Sequence, residues 1–161
     1  MAQRIHVFDS SALFHIKSDV SADRQWGLFE EMKLMVMQGE IAVPRQVLSE
    51  ARNARHHDGP EIWLLGVASH LQYPLDCSLA NHAKVMTTVG SRLVDPDAEG
   101  DPADPYVVAL AMDLMETHDE VVVISDDHID RPPMISLSTA CGQLGVDHLR
   151  LSDFLADLGY H

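Results

Sequence analysis

Five carboxylates stand where the pattern of the chain changes. Asp9 follows the apolar residues Ile5, Val7 and Phe8; two hydroxyls, Ser10 and Ser11, come next, and then the helix-like run Ala12, Leu13, Phe14, Ile16. Glu50 comes shortly after a second apolar run closed by Pro44, Asp104 opens an apolar helical stretch, and Asp126 and Asp127 end the run Val121, Val122, Val123, Ile124, Ser125. Each acid has an ordinary role open to it: Asp9 and Asp104 as helix caps, Glu50 as a surface residue, Asp126 and Asp127 as turn residues. Gathered in one place they do something else. Crowded carboxylates repel, and some take up protons unless a cation neutralises them. Hard divalent cations such as Mg2+ and Mn2+ suit an oxygen-rich site completed by water and phosphate. The chemistry of such a site is metal-assisted hydrolysis. The ten histidines offer no comparable zinc pattern. His56 and His57 are adjacent and cannot share a helical face, and His6, His15, His70, His82 and His118 are scattered without ligand spacing.

The elements around these acids alternate. Strands are expected in "RIHVF", "EIAVP", "EVVVIS" and "VDHLRL". Between and after them, helices are expected in "SALFHI", "DRQWGLFEEMKLMVMQGE", "RQVLSEAR", "GPEIWLLGVASHL", "DCSLANHAKVMTTVGSRL", "YVVALAMDLMETH", "ISLSTACGQLG" and "SDFLADLG". Gly39 is placed to end the second helix, whose methionines read as core filler. Asp76 is expected to open the fifth helix, which is interrupted or ended near Gly90. "VDPDAEGDPADP" reads as a loop. The alternation predicts a three-layer α/β/α fold with a mostly parallel sheet. The unbroken run at 121–124 suits a central strand, with the first strand beside it. Ligands of such sheets bind at the carboxyl ends of the strands, near the point where strand order reverses. Asp9, Glu50, Asp104 and Asp127 all belong to that edge.

The 161 residues, 46% of them hydrophobic, fit a single domain spanning 1–161 with a real core. No apolar run reaches the roughly 20 residues of a membrane span, and no secretory signal is recognised at the N-terminus. Cys77 and Cys141 lack metal spacing and read as reduced packing residues, which points to the cytoplasm. The net charge of −14 opposes a broad nucleic-acid footprint. Basic residues nevertheless gather in "PRQVLSEARNARHH", where Arg45, Arg52 and Arg55 form either a solvated helix end or a local phosphate-facing patch.

The segments "VFDSSALFHI", "VPRQVLSEA", "ADPYVVALA" and "VVVISDD" resemble, in order, the four signature segments of PIN-domain proteins. "VPRQVLSEA", "SRLVDP…ADPYVVALA" and the closing "GVDHLRLSDFLADLG" are similar to an uncharacterised bacterial and archaeal PIN-like branch, so the resemblance covers essentially the whole chain. It implies a PIN-like fold and a Mg2+- or Mn2+-dependent endoribonuclease, the toxin of a VapC-like toxin–antitoxin pair being the best-represented case. By resemblance Asp9, Asp104 and Asp127 are metal ligands, and Glu50 is a fourth catalytic acid that holds or deprotonates water or serves a second metal. Ser11 and Ser125 match supporting hydroxyl positions. The spacing of the fourth segment favours Asp127 over Asp126, and Asp101 is a weaker alternative to Asp104. Arg45 and Arg52 become candidates for facing phosphate. RNA, single-stranded or structured, is the implied partner. A cognate antitoxin, a homodimer and the number of metals stay open, and no membrane partner is expected.

Two other readings compete. A PIN-like interaction module without activity fits the acidity and the scarcity of aromatic–basic pairs that would stack nucleotides, but it has no chemical need for four acids. A phosphotransfer receiver-like domain requires paired acids early in the chain and a lysine after a late strand. The last lysine is Lys84, well before the fourth strand.

Overall fold

The structure is a computed structural model, described here for residues 3–95, 97 and 100–160. Four parallel strands form one sheet in the order β2-β1-β3-β4: β1 (Arg4–Phe8), β2 (Ile41–Ala42), β3 (Glu120–Ile124) and β4 (Asp147–Leu149). β1 and β3 pair over their full length, from Arg4 opposite Glu120 to Phe8 opposite Ile124. The apolar run of β3 thus sits centrally beside β1, as the sequence predicts. Residues buried on both faces (Ile5, Val7 and Phe8 in β1, Val121 to Ile124 in β3) are what a parallel sheet covered by helices requires. Chain order reverses between β1 and β3, because β2 lies on one side of β1 and β3 on the other. That places the switch-point crevice at the ends of these two strands.

α1 (Ser10–Asp19) packs with α2 (Ala22–Met37), α3 (Arg45–Arg52), α4 (Gly59–Val67) and the C-terminal α9 (Leu151–Asp157). α7 (Asp104–Met115) lies against β1 and β3 and contacts α5 (Leu79–Val85) and α8 (Leu137–Leu144). The result is a three-layer α/β/α fold. Phe8 and Phe154 meet edge-on at 5.0 Å and tie α9 to the sheet. Met32 and Met35 are buried in the core, as expected of filler. Gly39 ends α2 at φ +75°, a left-handed conformation that a side chain would strain.

Several boundaries differ from the sequence expectation. Ser78, not Asp76, caps α5 by accepting the Asn81 N–H, and Asp76 instead pairs with Arg45. Of the two outcomes expected near Gly90, the helix is interrupted and not ended. It passes through a π turn at Met86–Gly90 into α6 (Ser91–Leu93), with Gly90 seated under the Met86 side chain where a Cβ would collide. The second strand is only two residues long, because Val43 and Pro44 already turn toward α3. In the segment expected to be a loop before α7, residues 96, 98 and 99 lie outside the described residues. Among the described residues no helix is long and apolar enough to cross a membrane.

Candidate active site

The site begins with Asp9. Its backbone extends β1, donating its N–H to the Ile124 carbonyl at 3.1 Å. Its side chain then caps α1, accepting the Ala12 N–H at 2.8 Å. The carboxylate is 1% exposed and also accepts the hydroxyls of Ser11, at 2.9 Å, and Ser125, at 2.5 Å. Cap and acid-cluster member are therefore one residue. Burial pushes the Asp9 carboxyl up to about 6 against the lowering effect of the Ser125, Ala12 and Ser11 donors, and the charge of Asp127 pushes it further.

The other acids arrive from three more elements. Asp104, the first residue of α7, has a carboxyl pushed up to about 7 by burial and then by the negative charges of Asp9, Asp127 and Glu50. Asp104 thus lies within the field of the other three acids. Glu50, in the second turn of α3, accepts the Ser10 hydroxyl and, at 3.1 Å, the Ala103 N–H. It joins the start of α1 to the residue that precedes Asp104. Asp127 accepts the Leu137 N–H at 2.9 Å, and its own N–H donates to Ser125 Oγ at 3.0 Å. Buried Cys141 lies within the field of Asp9 and Asp104; its thiol is pushed up to about 12, first by burial and then by those two charges.

The neighbouring acids are committed elsewhere. Asp126 holds the His15 ring at 2.8 Å and the Leu151 N–H at 3.0 Å. Asp101 accepts the Tyr106 hydroxyl at 2.8 Å on the exposed side. Arg45 gives two guanidinium hydrogen bonds to Asp76, at 2.9 and 3.0 Å, so its charge is already countered, and Arg52 is exposed in the last turn of α3. Ser10 and His15, which the sequence does not mark as site residues, also touch these acids. Ser10 stands next to Asp9 and could have been suspected; the contact of His15 with Asp126, more than a hundred residues away, leaves no local trace.

The donor set is chemically uniform: four carboxylates, with hydroxyls and backbone N–H groups behind them. Such hard oxygen donors fit Mg2+ or Mn2+ and not a soft metal. Among the described residues no three His, Cys, Asp or Glu side chains close around a single point as a cage. Magnesium does not ask for one, since it keeps several waters and uses one or two carboxylates together with substrate phosphate.

Ser125 deserves a direct test, because its hydroxyl both donates to Asp9 and accepts from Asp127. Ser125→Ala is expected to cost about 1–3 kcal/mol in urea unfolding, since it leaves buried groups unsatisfied. Divalent-cation affinity should fall by about 10–100-fold, the usual loss when a residue orienting a ligand is removed. Calorimetric Mn2+ titration beside the unfolding curve checks both.

Fold and site together define an α/β/α domain with acidic side chains from four elements near the switch point of a parallel sheet. The chain belongs to the family described as a domain of unknown function, DUF4411, which matches residues 6–161. No curated protein matches it.

Proposed function

We propose that the protein is a PIN-like, Mg2+- or Mn2+-dependent endoribonuclease that hydrolyses RNA phosphodiester bonds. The supporting observation is that Asp9, Glu50, Asp104 and Asp127 come from four separate elements at the carboxyl edge of the sheet, where the charges of the other three raise Asp104 and that of Asp127 raises Asp9. A fold gains no stability by burying mutually repelling carboxylates, so their gathering is best explained by a positive partner. Asp9, Asp104 and Asp127 would hold the cation. When bound, it lowers the pKa of water and neutralises the charge of the phosphate under attack.

The residues of the chain supply the rest. Ser11 and Ser125 fix the Asp9 carboxylate by donating to it, which leaves its charge oriented without a mobile side chain. Glu50 is held at both oxygens, by Ser10 and by the Ala103 N–H, and would accept a proton from attacking water. The RNA specificity, and membership of a toxin–antitoxin pair in the cytoplasm, belong to the same proposal and rest on the PIN resemblance.

The test is incubation with a labelled single-stranded RNA in Mg2+ or Mn2+ beside a chelated control. Cleavage in either metal, absent in EDTA, is expected. Attack by external water predicts products without a 2′,3′-cyclic phosphate and continued cutting of a substrate lacking the 2′-hydroxyl. Intact RNA together with no metal-induced stabilisation would instead support a non-catalytic interaction module.

A further inference from the structure

We propose that the groove between α1 and the β3–α8 connection is a nucleotide subsite, in which Arg131 holds a backbone phosphate of single-stranded RNA beside the acidic cluster. The proposal rests on the ribonuclease reading and adds to it the side chain that anchors the substrate. The groove, about 450 Å3, is lined by Ser11, His15, Asp127, Ile129, Arg131 and Met134, among others. Ser11 donates to Asp9, and Asp127 is linked to Asp9 through the Ser125 hydroxyl, so the groove borders the acidic cluster. Its size lies in the range of small-ligand pockets.

Charge decides which anion the groove suits. The chain carries 25 acidic residues against 11 lysines and arginines, and Arg4, Lys17 and Arg45 are each paired with an acid. Among the described residues exposed Arg131 makes no ion pair. Asp126, which also lines the groove, is held by hydrogen bonds to the His15 ring and the Leu151 N–H. A free guanidinium in that setting is a phosphate donor, since its planar fork matches phosphate oxygens.

The groove is also preorganised. Arg131 and Met134 exchange backbone hydrogen bonds at 3.0 and 2.9 Å across Pro132 and Pro133. Asp130 accepts the Ser136 N–H and the Thr139 hydroxyl, and the Ile135 N–H donates to the Arg92 carbonyl. Ile129, 60% exposed, and Met134 give the same groove an apolar surface on which a base or ribose can pack. The groove on the other side of Glu50 differs: Arg45 is neutralised there by Asp76, and Asp101 adds negative charge. Phosphate is therefore drawn to the Arg131 side.

The test measures binding of a fluorescein-labelled phosphorothioate oligouridylate, whose linkages resist hydrolysis, by anisotropy in Mg2+ at several salt concentrations. Arg131→Ala should weaken binding about tenfold. It should also flatten the slope of log Kd against log salt by about 0.7, the value of one phosphate contact on a single strand. Arg131→Lys should keep the slope. Arg4→Ala makes the same change in net charge at the opposite edge of the sheet and should alter neither quantity. Circular dichroism verifies folding, and Arg131→Gln replaces the alanine variant if that one is unstable. Arg131→Ala indistinguishable from Arg4→Ala overturns the subsite. If the wild type meanwhile cuts ordinary oligouridylate, the ribonuclease reading survives that result. Wild-type protein that does not bind the probe overturns the subsite as well, and absence of cleavage besides removes both.

Discussion

Asp9→Asn is expected to lower RNA cleavage by about three orders of magnitude while leaving the fold intact. A metal ligand contributes several kcal/mol of charge stabilisation, and each 1.4 kcal/mol is about tenfold in rate. Asparagine is a comparable helix cap, and its carbonyl oxygen can still accept the Ala12 N–H that Asp9 accepts at 2.8 Å. Ser125 can turn its hydroxyl to meet the new amide. A buried charge near Asp127 also disappears. The metal-free variant should therefore melt at the same temperature as the wild type or higher. The rise in melting temperature on adding Mn2+ should shrink, because a ligand stabilises the native state in proportion to its binding. Thermal melts with and without Mn2+, beside a cleavage assay, check all three. A residue that served only as a cap would leave the metal response and the activity in place.

The second large effect is on pH. Asp9 at about 6 and Asp104 at about 7 keep protons in the native state that the unfolded chain, near 3.8, releases. Stability from these raised carboxyls is complete below about pH 4 and is lost as pH rises through 6 and 7. His6 and His148, lowered first by burial, act in the opposite sense, because below 6.5 the unfolded chain binds protons that these rings refuse. Above pH 6.5 that opposition ends and Asp104 dominates. In EDTA the melting temperature should fall between pH 6.5 and 8 by about two to four degrees, from a loss on the order of 1 kcal/mol. Asp104→Asn should flatten this fall. Saturating Mn2+ should reverse it, since the cation competes with protons for the same oxygens. Melts over that range, with EDTA or Mn2+, give the sign directly.

How much of this was legible in the chain follows from which contacts are local. The run at 121–124 reads as a buried central strand because its apolar residues are consecutive, and Gly39 reads as a stop because one backbone conformation demands it. Asp9 and Asp104 announce themselves at a strand end and a helix start. The commitments of the remaining polar groups are set by tertiary pairing. Asp76 looks like a cap until Arg45 is seen to hold it, and although the spacing in "VISDD" favours Asp127, nothing there says that His15 occupies Asp126. The link from Ser10 to Glu50 spans two helices and has no periodic signature. The π turn at Met86–Gly90 depends on how α5 seats against α7, which local propensity does not encode.

The account turns on whether the four-acid pocket cuts RNA with the help of a divalent cation. The most direct measurement is one gel of labelled single-stranded RNA in Mn2+, comparing wild type with Asp104→Asn purified in parallel. The account predicts cleavage by the wild type that EDTA stops, and intact RNA with Asp104→Asn. Wild-type protein that leaves the RNA whole in both Mn2+ and Mg2+, or cleavage that persists undiminished in Asp104→Asn, would contradict it.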